Sequence, residues 1–192
     1  NYRIIEDVPV GKAIGITGGY QKKNDIGRLY LGARVSLGKY YNWGYLSSNF
    51  EYGTFFNGSK LEQNAFFAQA NYFTNLFEAG DWKFRQFVKA QVVIGNKRLP
   101  SNGDQLTING GNGIPGFSSP TLYGTKKLLC TFQTQSYSPW NLWGFRFNPY
   151  INYTMGILGN AESGFKKSKA YSQFGLGVII RNDYLVFSSF QL

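Results

Sequence analysis

Residues able to carry acid–base or nucleophilic chemistry are scarce in this sequence. There is no histidine, one cysteine (Cys130) and one methionine (Met155). A Ser–His or Asp–His hydrolase is therefore excluded, and a zinc site is not expected. A lone cysteine forms no internal disulfide, and Cys130 stands in a strand pattern among apolar residues, where a thiol is packed and inert more often than reactive. The chain reads as a non-enzyme without cofactor or metal. The residues that invite a function are of another kind. Asn109-Gly110-Gly111-Asn112-Gly113-Ile114-Pro115-Gly116-Phe117 lies within a connection, 96–124, that is far too long for a hairpin turn. Loops of this length inside regular β-structure are usually functional. The glycines let the backbone lie close against a wall, and Leu106, Ile108, Ile114 and Phe117 give an apolar content that a free surface loop would expose.

The elements that must position this segment are strands. In 28–37, Leu29, Leu31, Ala33, Val35 and Leu37 alternate with Arg28, Tyr30, Gly32, Arg34 and Ser36. In 143–155, Trp143, Phe145, Phe147, Pro149, Ile151, Tyr153 and Met155 alternate with Gly144, Arg146, Asn148, Tyr150, Asn152 and Thr154. Pro149 cannot donate to a ladder, so pairing is expected to begin near it. Similar alternation runs through Trp82–Ile94 and Gln173–Arg181, and less sharply through 12–20, 43–56, 64–77, 125–137 and 184–192. About nine strands result, with no helical period, no linker and no second domain.

One face of such strands must meet something oily and the other something wet. Aromatics make up 18% of the 192 residues and there are 24 glycines. Mean hydropathy is only −0.28, and no apolar run approaches the ~20 residues of a membrane helix. A helical membrane protein is excluded. An aromatic-rich, moderately polar, Gly-punctuated chain is what a transmembrane antiparallel β-barrel requires, since half of each strand faces lipid and half a polar interior. Connection lengths point the same way. Glu78-Ala79-Gly80-Asp81, Ser138-Pro139-Trp140-Asn141 and Arg181-Asn182-Asp183 are short, and 57–63, 96–124 and 156–169 between them are longer. Short periplasmic turns alternating with longer extracellular loops would put the Gly-rich segment on the cell-surface side.

Net charge is +10, from 20 Lys+Arg and 10 Asp+Glu. Many cations, including Arg28, Arg34, Lys83, Arg85, Lys89, Arg146 and Arg181, fall on the polar strand face. A basic aromatic sheet can bind single-stranded nucleic acid, but its other face would need a cover the chain does not offer, so no nucleic-acid partner is expected. A hydrated, cation-lined lumen is favoured over a specific anion pathway. Lys22-Lys23 and Lys166-Lys167 could meet lipopolysaccharide phosphates or be solvated. The chain opens at Asn1 without Met and stops within a strand-like alternation; a removed signal sequence and further domains are expected upstream.

Three runs carry a family resemblance: Gly113-Ile114-Pro115-Gly116-Phe117, then Tyr123-Gly124-Thr125-Lys126-Lys127-Leu128-Leu129, then Ser138-Pro139-Trp140. With Phe174-Gly175-Leu176-Gly177 and the turn at Arg181-Asn182-Asp183, the sequence resembles the C-terminal barrel of the outer-membrane protein assembly-factor superfamily (BamA/TamA type, bacterial surface antigen). Glu6-Asp7-Val8-Pro9-Val10-Gly11 is similar to the entry of a mid-barrel strand in related sequences of the Bacteroidota. The resemblance covers most of the chain and is strongest from about 105 to 190.

It implies an integral protein of the Gram-negative outer membrane, with about nine strands of a barrel of some sixteen. It also implies a surface loop, here 96–124, folded back into the lumen. The loop site is then Gly113, Ile114, Pro115, Gly116 and Phe117, with Phe117 as an aromatic anchor, and Gln133, Thr154 and Arg146 on the lumen wall facing it. The family's loop arginine falls on Pro115, its lumen aspartate on Thr154, and an acidic residue of the following strand on Gln133. Both halves of that charge-assisted pair are missing together, which points to another way of holding the loop. The implied function is to help insert, assemble or translocate outer-membrane or surface proteins. Its partners would be the lipid bilayer with lipopolysaccharide, unfolded clients and other subunits of an outer-membrane complex. A passive channel, or an anchor for an upstream catalytic domain, is the alternative.

Overall fold

A computed structural model of the protein describes residues 7–23, 25–98, 105–182 and 189–191. Successive side chains of a strand point to opposite sides, so the alternating pattern specifies strands wherever one side is apolar and the other polar. The described residues form eleven strands: β1 (Gly11–Lys23), β2 (Ile26–Tyr41), β3 (Gly44–Asn57), β4 (Lys60–Thr74), β5 (Phe77–Ala79), β6 (Trp82–Asn96), β7 (Lys126–Tyr137), β8 (Asn141–Leu142), β9 (Phe145–Gly159), β10 (Ala170–Asn182) and β11 (Ser189–Gln191). All belong to one antiparallel sheet in the order β1-β2-β3-β4-β6-β7-β9-β10-β11, with β5 and β8 as short additions to β6 and β9. Every long strand pairs with its sequence neighbour, which makes a meander. Among the described residues β1 pairs only with β2 and β11 only with β10, so the sheet has two edges. No helix among them is long and apolar enough to cross a membrane.

The register gives each face one chemistry across the whole sheet. Ile14, Val35, Phe50, Ala68, Val92, Leu128 and Ile157 are successive partners on one face. One step along, Ser36, Asn49, Gln69 and Gln91 are partners on the other. That polar face is tied by side-chain bonds: Ser36 Oγ donates to Asn49 Oδ1 (2.8 Å), Asn49 Nδ2 to Glu51 Oε1 (2.8 Å), and Thr131 and Thr154 share a bond of 3.1 Å.

Burial is inverted relative to a two-layer domain. Among the described residues the buried apolar side chains are Tyr45, Val93, Leu129 and Leu158, all at polar-face positions, and Ile108 and Ile114 of the long connection. Among the described residues the apolar face contributes none, and Ile16 and Leu176 on it are 85% and 70% exposed. Two-layer folds bury such a face, because apolar area left in water forgoes roughly 25 cal/mol per Å².

Turn chemistry explains where strands run longer than the sequence suggests. The expected long connection 57–63 is a two-residue turn at Gly58-Ser59, with Asn57 opposite Lys60. Gly58 takes φ +59° at no steric cost, and the polar run that follows joins β4, where Glu62 meets Arg28 at 3.4 Å. Loop length therefore sorts by end less cleanly than expected. The connection at 138–141 likewise continues into a β8–β9 hairpin that turns at Trp143-Gly144, both at positive φ (52° and 82°). Pairing of β9 with β7 starts at Tyr150, one residue after Pro149, as the missing N–H of proline requires. The pattern at 184–192 lies mostly outside the described residues.

Candidate functional site

The segment 105–124 lies on the polar face of β7, β9 and β10. Its base is a bridge between Leu106 and Gly124, which exchange backbone bonds of 2.8 and 2.9 Å. Above it Asn109 ties the two legs together, since its Nδ2 donates to Ser119 O (2.9 Å) and its Oδ1 accepts from Ser119 N (3.0 Å). The side chain thus does the work of a ladder rung. A short 3₁₀ turn, Gly110–Asn112, forms the apex, and Ile114 N returns to Ile108 O at 2.9 Å. Gly113 is required here, because a Cβ on it would collide with the Ile108 backbone.

Ile114-Pro115-Gly116-Phe117 is a β-turn closed by Phe117 N to Ile114 O (3.1 Å). Proline supplies the first φ and Gly116 the positive one (70°). Pro115 and Gly116 are exposed, so the predicted loop residues divide: the turn tip points away while its two ends pack down.

Ile108 and Ile114 are 0% and 1% exposed, and they bury themselves against Leu129 of β7 and Leu158 of β9. Burial of two such side chains favours this placement by about 1.5–3 kcal/mol each. Gly156 makes the room, since a Cβ there would press on Leu129 at 2.8 Å and Ile114 at 3.1 Å. Phe117 is half-buried and stands against Tyr171, ring centroids 5.2 Å apart. It borders the contact, and the two isoleucines form its centre. From the wall, Lys127 Nζ donates to Asn112 O at 2.9 Å, and the lysine is 6% exposed. A cation on the strand thus holds a neutral carbonyl on the loop.

Of the expected wall residues, Thr154 lies on β9 two positions from Gly156, is 2% exposed, and is satisfied by Thr131. Gln133 is further along β7, with Nε2 3.5 Å from Gln135 Oε1. Arg146 is not brought to the loop. It is opposite Arg181 near the start of β9, about 40 Å from Leu158 at the usual rise per residue. The sequence signal for the true wall was parity, since Leu129 and Leu158 are apolar residues at polar-face positions, but Tyr45 and Val93 share that parity outside the cluster, so it did not single the wall out.

Away from the loop, the polar face of β1–β4 has a pocket of about 480 Å³, lined by Tyr30, Arg34, Glu51, Phe55, Phe67 and Arg98 among others. Arg34 and Glu51 are register partners, yet the hydrogen bond of Glu51 comes from Asn49. No group of His, Cys, Asp or Glu among the described residues could hold a metal ion. Cys130 is on the apolar face between Ala90 and Met155. What the arrangement offers is a wet, basic, amide-rich surface partly occluded by a tethered segment. Comparison with models of known families, with curated proteins and with solved structures finds no match to this chain.

Proposed function

We propose that this chain forms part of the wall of a bacterial outer-membrane β-barrel that helps insert, assemble or translocate outer-membrane or surface proteins. The observation that carries the reading is the inverted burial. A sheet that leaves its apolar face bare and lays its one large connection on the polar face suits lipid outside and water inside. Its eight long strands have 12 to 16 residues, more than the roughly 9–11 that cross the hydrocarbon core.

An aromatic belt supports the same reading. All four tryptophans, Trp43, Trp82, Trp140 and Trp143, fall at the end of the sheet opposite the long connection. Trp43 stacks on Tyr41 (4.7 Å, 5°), and Trp82 meets Trp140 edge-on at 4.9 Å. Trp143 is 90% exposed on a backbone with positive φ, a conformation seldom given to a bulky residue. Tryptophan is enriched where headgroups meet hydrocarbon.

Hydrocarbon cannot satisfy the two sheet edges, so further strands are proposed to complete the barrel, about sixteen as the resemblance implies. Partly formed client strands would pair at its seam by β-augmentation, with the segment 105–124 bracing the wall inside. Depleting the full-length protein from its host should reduce the heat-modifiable outer-membrane proteins recovered in the membrane fraction. An unchanged profile with altered uptake of small solutes would favour a passive channel instead, the reading that the open 480 Å³ pocket suits.

A further inference from the structure

The geometry points to a lumen that passes small anions in preference to cations, an inference that rests on the barrel reading and adds the class of solute. Setting aside the ion pairs Arg28–Glu62 and Lys83–Glu78, the polar strand face carries Arg34, Arg85, Lys89 and Lys127. Among the described residues the strands set against them one carboxylate, Glu51, and it accepts from Asn49. The cations are spread along the whole face. Lys127 faces Val93 and Leu158 near the loop end, Lys89 faces Asn71 and Thr131 at mid-height, and Arg85 faces Gln135 toward the tryptophan end.

Position makes these charges effective. Arg34 and Lys89 are exposed, and Arg85 lies over the Phe73 ring at 5.0 Å, a contact that fixes a guanidinium without neutralising it. Between them the wall is neutral: Gln69, Asn71, Gln91 and Gln133 offer both amide N–H and carbonyl groups, so they do not offset the positive potential. Fixed charge of one sign lining a narrow aqueous space with low-dielectric walls focuses the field and raises the local counter-ion concentration. Rings of basic side chains select anions in other pores. The loop is part of the device, because Lys127 both contributes charge and holds the segment that narrows the space.

The test is the reversal potential of the full-length protein in planar bilayers under a KCl gradient, with and without residues 110–120. The expected potential lies on the chloride side. Neutralising Arg34, Arg85 and Lys89 together to Gln should bring the chloride-to-potassium permeability ratio toward one, and Glu51→Gln should raise it. A potential at zero or on the potassium side, a triple variant that behaves as the parent, or no conductance after loop removal would overturn the inference. Insertion is scored separately by tryptophan quenching from lipid. An inserted, cation-preferring pore sinks this inference alone, and a protein that fails to insert sinks the barrel reading with it.

Discussion

The ammonium of Lys127 on β7 donates to the backbone carbonyl of Asn112 across 2.9 Å, so a buried strand residue grips the apex of the long connection from beneath. The residue that matters is on the wall, and its acceptor is a main-chain atom that no substitution at Asn112 removes. Lys127→Met keeps the apolar stem and deletes the donor. It should remove a hydrogen bond from a charged donor, at a cost of about 1.5–3 kcal/mol. Amide exchange at Gly110–Asn112 should quicken while the β7–β9 ladder stays protected.

Ile114 and Phe117 should separate in the same assay. Ile114→Ala empties a site of 1% exposure and should weaken the docked state by about 2–5 kcal/mol, whereas Phe117→Ala, at a half-buried border, should cost less. Limited proteolysis within 105–124 reads the difference. Equal protection of both variants would show that hydrogen bonds, including those of Asn109 and Lys127, hold the segment without help from apolar burial.

Adjacent residues of β2 provide the test of sidedness. Val35 is on the apolar face and Arg34 on the polar one. Val35→Arg near mid-bilayer should cost about 2–4 kcal/mol of folding free energy, and Arg34→Val far less. Denaturant titration in liposomes checks it; equal costs would mean that the two faces meet the same solvent.

Cys130 reports on the same face without any substitution. It lies between Ala90 and Met155 among apolar-face residues. A membrane-impermeant maleimide should leave it unlabelled in intact membranes and label it after unfolding in denaturant. Rapid labelling in the bilayer would place the apolar face in water.

Much of this fold was legible because a period of two is a strong signal when each face keeps one chemistry over many strands. Arg34, Arg85, Asn152 and Gln173 fall on one face, and Leu31, Val35, Ile151 and Phe174 on the other, as the alternation requires. Turns were less legible. Lys60 to Asn64 are polar and look like loop, but a strand that continues past the apolar zone needs polar residues, and the ladder does not distinguish them. At the site, the Pro115-Gly116 turn was readable from its residue types alone. Ile108 and Lys127 were not singled out as holding the segment, because their roles depend on which strands it crosses. Arg146 was placed on the wall by its polar-face parity, which does not fix height along the strand, and strand length puts it at the far end.

Lipid cover of the apolar face, as proposed, can be read from the tryptophans. In protein carrying Trp43, Trp82, Trp140 and Trp143 as its emitters, reconstituted with phosphatidylcholines brominated at graded depths, fluorescence should be quenched most by bromines nearest the headgroups. All four residues sit at one end of the sheet, which would lie at an interface. Absence of quenching at every depth, with emission typical of water-exposed indole, would show that water and not lipid meets this end of the sheet.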